Sequence, residues 1–158
     1  MRRSYDQGLT LVEVMIASAI ILSAVMAMLG VYTLYLRVAL SNGNAVKAAY
    51  LAEEGLEAVR FLRDDSWSAR IVPLSNGTAY GIALSGGLWQ ATTTSWVGNF
   101  ERTFTLSAVS RDTNSDIVSS GGTLDPNIRL VTASVSWTQA GATTTKSIST
   151  YLTNLHGN

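Results

Sequence analysis

The chain has no cysteine. Disulfides, thiolate catalysis and cysteine-based zinc sites are therefore excluded, and any globular part must hold together by packing. Histidine occurs once, as His156 near the carboxyl end. A side chain there is expected to be solvated, without a ligand or catalytic role. Charged residues make up only 14% of the sequence, against about 25% in ordinary soluble domains. Eleven basic residues balance eleven acidic ones. No basic excess points to nucleic acid, and no acidic tail points to a basic partner. Candidate nucleophiles such as Ser110 have no histidine nearby. There is no Gly-x-Ser-x-Gly and no phosphate-binding glycine loop before a helix, so no enzymatic activity is expected. The 158 residues suffice for one domain of ordinary size.

What is present is unevenly placed. The first third is rich in Leu, Ile, Val, Ala and Met, and the rest in Ser, Thr, Gly and Asn. Residues 14–36 carry no charge, and about 20 apolar residues suffice for a helix to cross a bilayer. Arg2 and Arg3 precede this run and Arg37 follows it. Basic residues ahead of an apolar run favour a cytoplasmic amino terminus, with the following segment outside. A secretory signal peptide has a shorter apolar core and a polar mature start after it; here the helical pattern continues past Arg37. A simple anchor explains the length but not Glu13. An acid at the centre of a spanning helix costs about 2.5–3.5 kcal/mol. Near one end the cost is smaller but still needs a partner.

Gly8, then Leu9-Thr10-Leu11-Val12-Glu13, then an uncharged apolar helix, resembles the prepilin signature of type IV pilins and pseudopilins. The resemblance implies a short basic leader, cut by a membrane prepilin peptidase between Gly8 and Leu9, with N-methylation of the new terminus at Leu9. Glu13 becomes the fifth mature residue. Leu9 departs from the family's usual phenylalanine. Glycine leaves a scissile carbonyl accessible and readily departs from helical geometry. The resemblance further implies that Glu13 pairs with the cleaved amine of a neighbouring subunit. In a low dielectric such a pair is strong, and an unpaired carboxylate costly.

The resemblance extends into "AAYLAEEGLEAVRFLRDDSW" and "GGTLDPNIRLVTASVSW", which look like segments of minor pilins. Within residues 45–63, Ala45, Ala48, Ala52, Leu56, Val59 and Leu62 recur at spacings of three and four, an amphipathic stripe. Glu57 with Arg60, and Arg60 with Asp64, sit at supportive helical spacings. Glu53, Glu54 and Glu57 are expected to form a solvated face, with a neighbouring subunit as the alternative contact. Asn42-Gly43-Asn44 is a weak point where the helix could bend, because glycine costs about 1 kcal/mol relative to alanine. The helix is expected to end around Asp64-Asp65-Ser66.

From Thr78 onward the period becomes two. Phe104, Leu106 and Ala108 alternate with Thr105, Ser107 and Val109. Val131, Ala133, Val135 and Trp137 alternate with Thr132, Ser134 and Ser136. Ile148, Thr150 and Leu152 follow a hairpin connection at Gln139-Ala140-Gly141-Ala142. Shorter strands are expected at 80–84 and 88–91, joined across Ser85-Gly86-Gly87. Trp67, Trp89, Trp96 and Trp137 are expected in the core or at its rim. Asp112, Asn114 and Asp116 place oxygen ligands at alternate positions, like the start of a calcium loop. Ile117 and Thr123 then stand where an EF-hand needs Gly and Glu. An Asx-rich turn between strands is the preferred reading; no cofactor is expected, with calcium at Asp112, Asn114 and Asp116 the one alternative.

The expected fold is α+β and pilin-like, a long amino-terminal helix with a membrane half and an amphipathic half, packed against an antiparallel β-sheet head. The expected segments are a leader at 1–8, a transmembrane and filament-core half at 9–36, an outer helical half at 37–65 and a β-rich head at 66–158. The resemblance implies a structural subunit, a minor type IV pilin that enters or primes a pilus filament. A pseudopilin of type II secretion or of a competence system is the alternative, and a single-pass anchored binding domain that never polymerises is a remoter one. Implied partners are the prepilin peptidase, other pilin subunits through the helix, an inner-membrane assembly platform and, before assembly, membrane lipid. The implied location is the inner membrane with the head outside, then a pilus or the periplasm.

Overall fold

The computed structural model describes residues 8, 10–93, 95–139, 141–155 and 157. Their architecture is α+β, a long helix followed by a seven-stranded antiparallel sheet. By its contacts the chain forms two compact units, Met1–Gly43 and Asn44–Asn158. Helix α1 (Leu11–Asp65) contributes to both, and its helical conformation is unbroken through Asn42-Gly43-Asn44.

In the first unit, residues 11–42 of α1 are exposed all round. Leu, Ile, Val and Met occur on every side, with Leu11 79% and Met28 75% exposed. A helix apolar all round is built for lipid or for other helices rather than for one side of a soluble core. Three of its hydroxyls are satisfied within the helix itself. Ser18, Ser23 and Thr33 each donate to the carbonyl three residues back, at 2.8–2.9 Å, so none needs water.

In the second unit, α1 presents Ala48, Leu51, Ala52, Gly55, Leu56, Ala58, Val59 and Leu62 to the core. This is the amphipathic stripe expected from the sequence. The helix stops at Asp65 because Ser66 is extended (φ −168°) and caps a single π-helical turn, Trp67–Ile71. The Ser66 hydroxyl accepts from the Ala69 amide at 3.2 Å. That turn buries Trp67 and Ile71. Arg60 pairs with Glu57 as the spacing predicts, but Asp64 pairs with the adjacent Arg63 at 2.8 Å, not with Arg60.

The strands are β1 (Tyr80–Ser85), β2 (Leu88–Thr92), β3 (Trp96–Val97), β4 (Phe100–Arg111), β5 (Ile117–Val118), β6 (Thr123–Gln139) and β7 (Ala142–Thr153). The order is β2-β1-β4-β6-β7, with β3 and β5 also paired to β4. Gly86 and Gly87, at φ +61° and +81°, make the tight β1–β2 turn. The β6–β7 connection includes Ala140, which lies outside the described residues. The inward face carries Ile82, Phe104, Leu106, Val131, Ala133, Val135, Trp137 and Leu152, which form one core with the helix stripe.

One inward position differs from the sequence pattern. Ala108 is exposed and Val109 buried. The pairing slips between them, with Ala108 opposite Arg129 and Val109 opposite Asp125. This bulge on the β6 side inverts the phase of β4 beyond it. Pro126 sits within the bulge, so its missing amide interrupts no ladder bond.

Candidate processing and assembly site

Thr10 caps α1. Its hydroxyl accepts from the Glu13 amide at 3.3 Å, and its carbonyl accepts from Val14 N–H at 3.2 Å. Glu13 therefore occupies the third position of the first turn, the Thr-x-x-Glu spacing of a capping box. A carboxylate there faces the positive end of the helix dipole, worth about 0.3–1 kcal/mol at an exposed terminus. The sequence reading noted the Glu13 spacing from Gly8 but not this local role. The signal was present in Thr10-Leu11-Val12-Glu13 itself.

The dipole does not replace a counter-charge. Glu13 is exposed. The next charged residue along α1 is Arg37, about 36 Å further along the axis at 1.5 Å per residue. A cation for Glu13 has to come from the amino-terminal side or from another molecule. Leu9, the expected cleavage and methylation residue, and leader residues 1–7 lie outside the described residues. Gly8 is exposed, and a Cβ built on it would meet nothing within 4 Å. Its backbone is also not left-handed. The fold of the described residues makes no demand for glycine at this position. Helix α1 is long and apolar enough to cross a membrane, and its most apolar window has none of its residues buried.

One of the three calcium candidates, Asp112, is engaged with the backbone. Asp112 Oδ1 accepts from the amides of Asn114 and Asp116, both at 2.9 Å. Ser115 turns the chain at φ +69°, and Arg111 donates to its carbonyl. This is an Asx turn, with that carboxylate oxygen committed to backbone donors. Among the described residues no group of three or more His, Asp or Glu side chains could hold a metal.

The head contains a charge that the sequence reading did not single out. Arg102 on β4 is only 4% exposed. Its Nη1 lies 3.0 Å from Glu54 Oε2, and its Nη2 donates to the Ile82 carbonyl at 3.3 Å. The guanidinium also lies over the Trp89 ring, 5.8 Å from its centroid. Glu54 is thus not simply part of a solvated face. It neutralises a buried cation while half of its own side chain stays in water. Gly55 leaves the space beside it through which the Arg102 stem passes. At the far end of β4, a partly buried pair links Arg111 to Asp125 at 2.8 Å. That hydrogen bond and the Asn127 amide hold the Asp125 carboxyl below its usual range.

No curated protein sequence and no solved structure matches the chain. Residues 3–29 match the family model for the prokaryotic N-terminal methylation motif. That span holds Gly8, Leu9, Thr10 and Glu13 and the first half of the apolar helix, so at this end the chain carries a type IV pilin-like prepilin motif.

Proposed function

We propose that this chain is a minor subunit of a type IV pilus, cleaved between Gly8 and Leu9, methylated on Leu9, and drawn from the inner membrane into a filament. The observation that carries the reading is the matched methylation motif with Glu13 in the first turn of an uncharged, wholly exposed apolar helix. Residues 1–8 are then the leader and 9–36 the segment that exchanges lipid for neighbouring helices. Residues 37–65 connect it to the head at 66–158. The amino terminus starts in the cytoplasm, and the head lies outside.

The mechanism follows from charge and packing. Cleavage creates a cationic amine at Leu9. Glu13 of an incoming subunit has no charged side chain after it on its own helix before Arg37, and the amine of a neighbouring subunit is the partner that the prepilin resemblance implies. In a water-poor filament core that pairing favours one axial register over others. Ala17, Ala24 and Ala27 fall on a common helical side, where small residues allow close helix approach. The role is structural, and the peptide bond chemistry is performed on the chain by the peptidase.

Mass spectrometry of the membrane-inserted protein tests the processing step. A methylated terminus at Leu9 is expected, whereas an intact Met1 leaves a non-polymerising anchor as the explanation. Glu13→Ala is expected to insert normally and to fail in assembly, read as loss of the protein from sheared filaments. Recovery of the wild-type chain from surface pili fits a pilin. Dependence of protein secretion on it, with none in pili, fits a pseudopilin.

A further inference from the structure

The β3–β4 end of the head carries a groove of about 420 Å³, lined by Trp96, Asn99, Glu101, Ser136, Thr138 and Thr143 among others. Packing explains little of it. Trp96 is 63% exposed, although an indole gains most from being buried. Glu101 is half-buried, and its carboxylate has no hydrogen-bond or ion-pair partner among the described residues. Register aligns these groups. Trp96 pairs with Glu101, and Glu101 with Ser136. Directly paired residues share a face of the sheet, and neighbouring strands lie about 4.8 Å apart. Indole, carboxylate and hydroxyl thus form a row about 10 Å long. Thr138 and Thr143 add a hydroxyl pair beside it, with their oxygens 3.2 Å apart.

The lining selects a ligand class. Glu101 is the only charged group in it, which disfavours anions. No Leu, Ile, Val or Met side chain lines it, so an apolar peptide anchor finds no aliphatic pocket. A flat aromatic surface beside several hydrogen-bonding groups matches a pyranose ring. Its C–H face stacks on an indole, while its hydroxyls donate to a carboxylate and exchange hydrogen bonds with amides and hydroxyls. The volume falls within the usual range for small-ligand sites.

We propose that this groove binds a neutral oligosaccharide. Trp96 is the stacking platform, Glu101 the acceptor for sugar hydroxyls, and Asn99 at the β3–β4 turn the amide contact. The site belongs to the head alone and stands whether or not the chain polymerises.

The test uses the full chain in lipid nanodiscs, because detergents with sugar headgroups would compete. Cellohexaose and chitohexaose are titrated by calorimetry and by tryptophan emission, distinguishing glucose from N-acetylglucosamine as the unit. Saturable binding of at least one is expected, weakened at least about tenfold by Trp96→Ala and severalfold by Glu101→Gln. Trp96→Phe is expected to retain most of it. Trp96 is exposed, so its replacement leaves the fold intact, and unchanged thermal unfolding verifies this. The proposal is overturned by no saturable binding of either sugar, by undiminished binding in Trp96→Ala, or by saturation with tetramethylammonium or dextran sulfate in place of the neutral sugars.

Discussion

Helix α1 answers two different solvents with one backbone. Over residues 11–42 every side chain is exposed and none carries charge between Glu13 and Arg37. Over residues 44–65 the same helix buries one stripe against its own sheet and keeps its charges on the other sides. The first stretch leaves its stabilisation to surroundings outside the chain. The second obtains it from Phe104, Val131, Ala133 and their neighbours. Regular hydrogen bonding is common to both stretches, so it does not decide where the fold is stable. Burial does.

The largest effect that separates the two stretches should come from apolar truncation. Phe104 is 1% exposed, and Leu22 in the first stretch is 65% exposed. Phe104→Ala should destabilise the head by about 3–5 kcal/mol. Leu22→Ala should leave urea unfolding of the head, followed by tryptophan emission, unchanged. An equal loss from both would mean that the first stretch contributes to the head's stability.

The carboxylates sharpen the contrast at a smaller magnitude. Glu54→Gln leaves Arg102 buried with its charge uncompensated and should cost about 2–3 kcal/mol. This is below the range for a fully buried pair because Glu54 is half in water. Arg102→Met removes the charge and keeps the stem, and should cost less than Glu54→Gln. Denaturant midpoints of the two variants check the order. Glu13→Gln should not shift the head's midpoint at all, since the expected partner of Glu13 is another subunit.

Gly55 gives a smaller effect of opposite sign. A Cβ there would stand 3.4 Å from Arg102 Cδ and 3.6 Å from Ala133 Cβ, ordinary contact distances. Gly55→Ala should therefore gain helix propensity without a clash and stabilise the head by about 0.5–1 kcal/mol. A thermal midpoint that falls would show that the helix and sheet cannot yield even a few tenths of an ångström here.

Much of this division was legible in the sequence, because periodicity reports burial. The stripe from Ala48 to Leu62 and the alternation from Val131 to Trp137 each point to one face, and the structure buries those faces. The pattern failed where local geometry changes phase or where a charge goes inside. Ala108 was assigned inward because nothing in a single strand shows that its partner strand bulges. Residues 123–130 lie outside the strands expected from the alternation, and they hold the turn-favouring Pro126 and Asn127, which the irregular pairing with β4 tolerates. Arg102 was passed over because a charged residue between polar neighbours normally faces water. The Glu54 carboxylate, the Ile82 carbonyl and Trp89, all distant in sequence, make its burial tolerable. At the candidate site, Gly8, Leu9 and Glu13 were legible as spacing. The role of Thr10 as a cap was legible too, in its Thr-x-x-Glu spacing ahead of the apolar run.

The smallest predicted effect compares two carboxylates by their access to a cation. Asp125 has Arg111 beside it in the same chain, while Glu13 has no ion-pair partner among the described residues. The Arg111 hydrogen bond, then the Asn127 amide, hold the folded Asp125 carboxyl below its unfolded value of about 3.9. A lowered folded pKa means the folded state favours the ionised form. The contribution is complete above the unfolded pKa and is lost as pH falls through the folded one. Asp125→Asn keeps an oxygen for the Asn127 amide but removes the charge. At pH 7 it should lower the denaturant midpoint, and the gap between variant and wild type should close on acidification below about 3.9. Taking the difference between the two proteins cancels the protonation of Glu54 and the other acids. A gap that stays constant across that range would mean that the Arg111 pair does not bias the ionisation of Asp125 in the folded head.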